Sequence, residues 1–370
     1  MKPLSLVVFR VDASLSIGSG HLMRCLTLAS ALAVAGARCV FISRSHPGNL
    51  HELVRSRGFQ VIELAADDSR LETGDDFGAP THAHWLGCDW QADARQTRAV
   101  LDQLQSDWLV TDHYALDARW ETELAGSYTK LLVIDDLADR PHACDVLLDQ
   151  NLGRMAADYV QLVPARCKVL VGPEFALLRP EFAALRSESL ARPRDAIRKL
   201  LITMGGVDQP NATGTVLTTL KECYLPDECQ ISVVMGRHAP WLEQIQAMAR
   251  QMPWRTEVLI NIDDMGRRMV ESDLAIGAAG STSWERCCLG LPSLIVVLAE
   301  NQWPGARALD TAQAVRTVGE PDDISARLPA LLQALGEADY LLSMGAVASK
   351  ISDGTGVAKL VRVMETINED

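Results

Sequence analysis

Short apolar runs alternate with amphipathic stretches along almost the whole of this 370-residue chain, and few folds accommodate that alternation. In the first half, residues 4–9, 38–43, 59–64, 108–112, 131–135, 146–148 and 168–171 are apolar runs of strand length, and the longer segments between them repeat apolar residues at helical spacing. Strands joined by helical crossovers lie parallel, and a parallel sheet is covered on both faces. A second series starts near residue 199, with strands expected at 199–204, 230–235, 257–260, 273–276 and 293–298 and helices at 212–222, 241–251 and 281–289. Three further helical patterns follow, the last over 357–367. One ordinary core does not serve a chain of this length. The expectation is an α/β protein of two Rossmann-like, doubly wound domains, 1–185 and 186–370, with a charged crossing at 179–198 and the final helix packing back on the first domain.

Ligands of such sheets bind beyond the carboxyl ends of the strands, so the turns there carry the chemistry. The first runs from Phe9 to Cys25 and contains Asp12, Gly18, Gly20 and His21. Gly18 and Gly20 turn the chain sharply into a helix marked by Leu22, Leu26, Ala29, Leu32 and Ala33 and stopped by Gly36. His21 stands at the helix opening, where the positive end of the dipole disfavours an imidazolium and favours the neutral ring that a general base needs. Gly-x-Gly-His also merely opens a helix in many Rossmann-like turns, and this stretch alone does not decide between the two readings.

A second constellation repeats the logic. Gly277-Ala278-Ala279-Gly280-Ser281-Thr282-Ser283-Trp284-Glu285 reads as strand end, small-residue turn and helix start. Ser281, Thr282 and Glu285 share one helix face, so hydroxyls and free N–H groups suit a diphosphate while the carboxylate accepts from a ribose diol. The plainer alternative is a capping pair that stabilises a helix without a ligand. Gly205-Gly206-Val207-Asp208 and Ala299-Glu300-Asn301-Gln302 follow two more strands.

Charge and composition narrow the partners. A net charge of -13 excludes the basic footprint that nucleic acid or an anionic membrane requires, while glycine loops and helix N-termini still meet a phosphate locally. No apolar run approaches the ~20 residues of a membrane span, and Arg10 and Asp12 interrupt the apolar start that a signal peptide needs, so a cytoplasmic protein is expected. The nine cysteines include no Cys-x-x-Cys pair; Cys25, Cys287 and Cys288 read as reduced core residues. His82 and His84 with Cys88 lack a matching ligand set, so no metal is expected. The acidic interval 65–92, with Asp67, Asp68, Asp75 and Asp76, reads as a loop over the cleft between the lobes, ordered in part by Trp85 and Trp90. A monomer is expected.

With these motifs in hand, a resemblance becomes specific. Gly277-Ala278, Thr282, Glu285, Gly290-Leu291-Pro292 and Asn301-Gln302 resemble the UDP-binding half of GT-B enzymes such as the peptidoglycan glycosyltransferases. Arg10-x-Asp12-Ala13-Ser14, Gly18-x-Gly20-His21-x-Met23-Arg24-Cys25, Asp112-His113-Tyr114, Ile134-Asp135-Asp136-Leu137, Gly172-Pro173 and Gly205-Gly206-x-Asp208 resemble the UDP-sugar hydrolase family of pseudaminic acid biosynthesis, over nearly the whole chain. That resemblance implies a GT-B architecture and hydrolysis of UDP-2,4-diacetamido-2,4,6-trideoxy-β-L-altropyranose to UDP and the free sugar, with inversion and without metal or cofactor. It makes His21 the base that activates water and gives Tyr114 a part in placing the water or the sugar. It also makes Asn301 a residue that holds the ligand between the lobes. Gly18 and Gly20 leave room for the sugar; Gly205, Gly206, Gly280, Ser281, Thr282, Glu285 and Gln302 complete the substrate-binding set. Asp12 either binds the sugar or, as its strand-end position favours, holds a turn. Arg10 and Arg24 read as ion-pair residues. An inverting UDP-sugar glycosyltransferase with another acceptor and a non-catalytic UDP-sugar sensor are the competing readings.

Overall fold

The computed structural model describes residues 4–65, 78–237, 239–336 and 338–368; Asp67, Asp68, Asp75 and Asp76 of the acidic interval lie outside them. The chain divides into two compact units, Met1–Leu177 together with Gly356–Asp370, and Leu178–Thr355. No helix among the described residues is long and apolar enough to cross a membrane.

The first unit begins β1 (Leu6–Val11), α1 (Gly20–Val34), β2 (Arg38–Arg44), α2 (His51–Ser56), β3 (Gln60–Leu64), α3 (Trp90–Leu104) and β4 (Ser106–Asp112). It continues with α4 (Ala118–Glu123), β5 (Tyr128–Ile134), β6 (Val146–Asp149) and β7 (Lys168–Val171). Its sheet has the order β3-β2-β1-β4-β5-β6-β7, and every pair is parallel. Because side chains alternate across a strand, Val7, Phe9 and Val11 of β1 enter one buried cluster with Leu22, Leu28 and Leu32 of α1. Leu6 and Val8 enter another, with Leu101 and Trp120 of the opposite helical layer. Each fully buried side chain of this size contributes about 1.5–3 kcal/mol, which is why the strands read as unbroken apolar runs.

The second unit contains α5 (Pro180–Ala191), β8 (Lys199–Thr203), α6 (Ala212–Leu220), β9 (Gln230–Met235), α7 (Leu242–Ala249), β10 (Arg255–Ile260), α8 (Met265–Glu271) and β11 (Leu274–Ala278). It goes on through α9 (Thr282–Cys288), β12 (Ser293–Val296), α10 (Trp303–Thr311), β13 (Arg316–Gly319), α11 (Ile324–Leu335) and α12 (Ala338–Ala348). Its parallel sheet has the order β10-β9-β8-β11-β12-β13. The division between units falls ahead of α5, because α5 packs on α8 and α9 and the Arg186 guanidinium donates to the Cys288 and Ser349 carbonyls. A boundary at 185/186 would cut that helix. α13 (Gly356–Ile367) returns to the first unit, where Val357, Leu360 and Met364 join the cluster that holds α1. The edge strand β13 has no counterpart among the expected strands, since Arg316-Thr317-Val318-Gly319 is too short and too mixed to show a pattern.

In each sheet the strand order reverses once, between β1 and β4 in the first and between β8 and β11 in the second. Chains leave such a pair of strands in opposite directions, so their carboxyl ends open a crevice where ligands bind.

Candidate active site

At the reversal point of the first unit, β1 and β4 pair in register with Val11 opposite Asp112, so residues following β1 meet the end of β4. The connection from β1 to α1 is a tight loop. The Ser14 hydroxyl accepts from the Ile17 amide at 2.9 Å, the Gly18 amide donates to the Ser14 carbonyl at 2.9 Å, and Gly18 has a φ of +80°. Gly20 then opens α1 and His21 lies in its first turn, 8 % exposed.

The His21 Nδ1 is 2.5 Å from the Asp112 Oδ1. One turn along α1, Arg24 grips the same carboxylate, its Nε donating to Oδ2 at 2.6 Å and its Nη2 to Oδ1 at 2.7 Å. The Arg24 Nη1 also donates to Asp136 Oδ2 at 2.6 Å, and the Tyr114 hydroxyl donates to that oxygen at 2.8 Å. Burial alone would raise the Asp112 carboxyl, but Arg24 and His21 outweigh it and hold Asp112 well below the usual carboxylate range. An ionised, acceptor-only carboxylate at Nδ1 accepts from Nδ1–H and keeps the proton on that nitrogen, which leaves the Nε2 lone pair as the basic position of the ring. Tyr114 holds its ring perpendicular to that of His21, at 4.5 Å between centroids. Burial, reinforced by the Asp136 charge, pushes its phenol well above its ordinary value, so it stays a donor. Its hydroxyl is occupied by Asp136, and Tyr114 meets the histidine through its ring.

The pairing of His21 with Asp112, and of Arg24 with both aspartates, was not read from the sequence. The Asp-His-Tyr motif drew notice to Tyr114, yet the aspartate at the strand end is the residue that reaches the histidine. Asp12 is the opposite case. It is fully buried, and its Oδ1 accepts from Arg10 Nη1 and the Arg44 amide, each at 2.7 Å. Its Oδ2 lies 3.2 Å from His113 Nε2 and 3.5 Å from His46 Nε2. With both oxygens enclosed, Asp12 anchors a buried network that continues through Arg10 and Arg44 to Asp93, as the strand-end reading favoured.

The described part of the interval 65–92 supplies aromatic neighbours. Trp85 stacks on Tyr114 at 5.6 Å, and His82 lies 4.4 Å from Trp85. His82 and His84 are thus engaged with rings, and among the described residues no group of three or more His, Cys, Asp or Glu converges as metal ligands.

At the reversal point of the second unit the turns that follow the strands are built of small residues. Gly205, at a φ of +86°, and Gly206 follow β8; Gly280 follows β11. A Cβ at Gly277 would lie 2.6 Å from the Arg286 guanidinium and 2.8 Å from the Thr203 carbonyl, so only glycine lets the two strands and that arginine meet. Arg286 is buried, donates to the Thr282 hydroxyl at 3.2 Å and to the Ala278 carbonyl at 2.8 Å, and burial lowers it to about 10. Ser281 is the N-cap residue of α9, yet its side chain makes no capping bond, so the plain capping arrangement is not formed. Glu285 is half-buried and accepts no hydrogen bond among the described residues; burial, opposed by Arg179 and Arg286, pushes its carboxyl up to about 7. Asn301 is exposed in the turn Glu300–Gln302. Gln302 accepts from the Leu298 amide at 2.9 Å, and its amide nitrogen lies 3.8 Å from where a Cβ on Gly280 would stand. Asp208, by contrast, is turned inward and accepts from the Ala212 and Thr213 amides at 2.9 Å, holding the start of α6.

No known family model matches the chain. Over 297 residues, 80 % of this chain and 93 % of the relative, it is 25 % identical to the UDP-2,4-diacetamido-2,4,6-trideoxy-β-L-altropyranose hydrolase of Campylobacter jejuni. Over 178 residues, 46 % of this chain and 51 % of the relative, it is 24 % identical to the spore coat polysaccharide biosynthesis protein SpsG of Bacillus subtilis. Among solved structures, that of MurG from Acinetobacter baumannii superposes with a TM-score of 0.68 at 16 % identity, covering 98 % of this chain and 99 % of that one. The chain therefore has the GT-B fold, two doubly wound α/β units, and resembles in sequence the UDP-2,4-diacetamido-2,4,6-trideoxy-β-L-altropyranose hydrolase family.

Proposed function

We propose that this chain is a UDP-sugar hydrolase that releases UDP and free 2,4-diacetamido-2,4,6-trideoxy-L-altrose from UDP-2,4-diacetamido-2,4,6-trideoxy-β-L-altropyranose, with inversion at the anomeric carbon, in pseudaminic acid biosynthesis. The observation that carries the reading is the His21 to Asp112 contact of 2.5 Å at the reversal point of the first sheet. In this reading Asp112 accepts from His21 Nδ1–H, and His21 Nε2 takes a proton from water as that water attacks the anomeric carbon. Tyr114 and Arg24 keep the pair in place. The nucleotide belongs to the second unit. Gly205, Gly206 and Gly280 let a diphosphate approach backbone amides, Ser281 and Thr282 offer hydroxyl donors, and Glu285 accepts from the ribose diol. Asn301 and Gln302 contribute amide groups beside Gly280.

The similarity to the Campylobacter jejuni hydrolase supports water as acceptor, while the GT-B fold is equally at home in an inverting UDP-sugar glycosyltransferase. One experiment separates them. The purified chain is given the altrose-type UDP-sugar without an acceptor, and release of UDP and free sugar is followed. Hydrolysis that falls about 10²–10⁴-fold in His21→Ala supports the proposal. UDP release that depends on an added acceptor supports the transferase, and full activity of His21→Ala removes the histidine from the chemistry.

A further inference from the structure

We infer that the aromatic group formed by His82, Trp85 and Tyr114 over His21 selects water as the nucleophile by closing the base to any larger acceptor. The inference rests on the hydrolytic reading above and concerns why that reaction stops at water.

A transferase base must present its lone pair to a hydroxyl carried on a bulky molecule. His21 is instead 8 % exposed and makes two perpendicular ring contacts, with Tyr114 at 4.5 Å between centroids and 85° between planes and with Trp85 at 6.3 Å and 78°. Trp85 and Tyr114 are stacked with 24° between planes, and His82 lies 4.4 Å from Trp85 and 5.4 Å from Tyr114. The cover is held as a unit. Its backbone is the short helical turn Ala83–Leu86, in which the Ala83 amide donates to Pro80 and the Trp85 amide to His82, both at 2.9 Å. Leu86 and Cys88 on either side are buried in the core under the sheet. Gly87 between them takes a left-handed φ of +74°, and a Cβ there would stand 2.8 Å from the His46 ring. Tyr114 is fixed separately through Asp136. Rotating one side chain does not clear such a cover, because each ring rests on another that is itself anchored.

The chemistry that remains is balanced with water alone. The water oxygen bonds to the anomeric carbon as the bond from that carbon to the β-phosphate oxygen breaks. The electron pair leaves with UDP, and the proton of the attacking water passes to His21 Nε2. A small alcohol replacing water would give a glycoside by the same steps, provided it reached the base.

The test is therefore a partition. Wild type, Trp85→Ala, His82→Ala and Trp85→Phe are each incubated with the UDP-sugar in molar glycerol, and free sugar and glyceryl glycoside are quantified against UDP released. Wild type and Trp85→Phe are expected to yield free sugar almost alone. Trp85→Ala and His82→Ala are expected to raise the share of glycoside about tenfold or more, whatever their absolute rates, because a ratio of products is independent of how much enzyme folds. An unchanged share in both alanine variants, or an equally large share in wild type, overturns the inference while leaving the hydrolase intact. Absence of UDP release from wild type overturns the hydrolytic reading and this inference together.

Discussion

The two reversal points of the molecule solve different problems with the same strand geometry. In the first unit the crevice is lined with charge: His21, Arg24, Asp112 and Asp136 are joined within 2.5–2.7 Å and Tyr114 seals the set. In the second it is lined with glycine, hydroxyls and one carboxylate that accepts no hydrogen bond among the described residues. A base must be held in one orientation and one tautomer before the substrate arrives, so its partners are built into the protein. A nucleotide brings its own charge and its own donors, so the site proposed for it can be left with groups waiting for them. On the proposed function, one crevice is a preorganised reaction centre and the other a receptor.

The contrast breaks most visibly at Asp112. Asp112→Asn places an amide against His21 Nδ1, and an amide nitrogen donating there reverses the tautomer while Arg24 loses its main counter-charge. Hydrolysis should fall about 10²–10⁴-fold in kcat with UDP affinity nearly unchanged, as read by initial rates and calorimetry. Equal losses in both would mean that the two crevices are not functionally separate. Glu285→Ala should do the reverse, weakening UDP by about 1–3 kcal/mol because the ribose diol loses its acceptor.

The Glu285 carboxyl also carries a pH signature. Its value in the fold, about 7, lies above that of an exposed carboxyl. The folded state thus holds a proton that the unfolded state has released, and stability declines as pH rises from the ordinary carboxylate range to about 7. A diol donates to the ionised form, so UDP should bind more tightly as pH rises through about 7, and Glu285→Gln should flatten that slope. The smallest effect is expected at Ser281. Since its hydroxyl caps nothing, Ser281→Ala should leave the melting temperature within the range of a neutral surface change, about 0.5 kcal/mol, instead of the ~1 kcal/mol of a lost cap. Any change should appear in UDP affinity.

The same two crevices show what a linear sequence discloses. The fold was legible because strand and helix periodicities are local, and both doubly wound units follow from them; what escaped was the short mixed edge strand β13, the seven-residue helix α8, one of the four helices after β12, and α5, whose charged sequence reads as a crossing. The place of His21 at a helix opening was legible because a glycine turn announces the start of a helix. Its partner was not, since Asp112 lies 91 positions away and reaches it only through the register of β1 against β4. Asp12 and Asp112 are alike in sequence, each an aspartate at a strand's carboxyl end. The arginine beside each decides their roles: Arg10 draws Asp12 into the interior, whereas Arg24, on the neighbouring helix, fixes Asp112 beside the base. The placing of Glu285 in the first turn of α9, beside Ser281 and Thr282, was legible because that spacing needs no tertiary knowledge.

The return of α13 to the first unit has a consequence for how the molecule is made. Unit two is a continuous stretch, 178–355, whereas unit one is completed by residues that leave the ribosome only afterwards. Until Val357, Leu360 and Met364 arrive, the cluster containing Leu22 and Leu28 lacks part of its cover. During synthesis the second unit has all its residues before the first does, and the unit that holds His21 completes its core last.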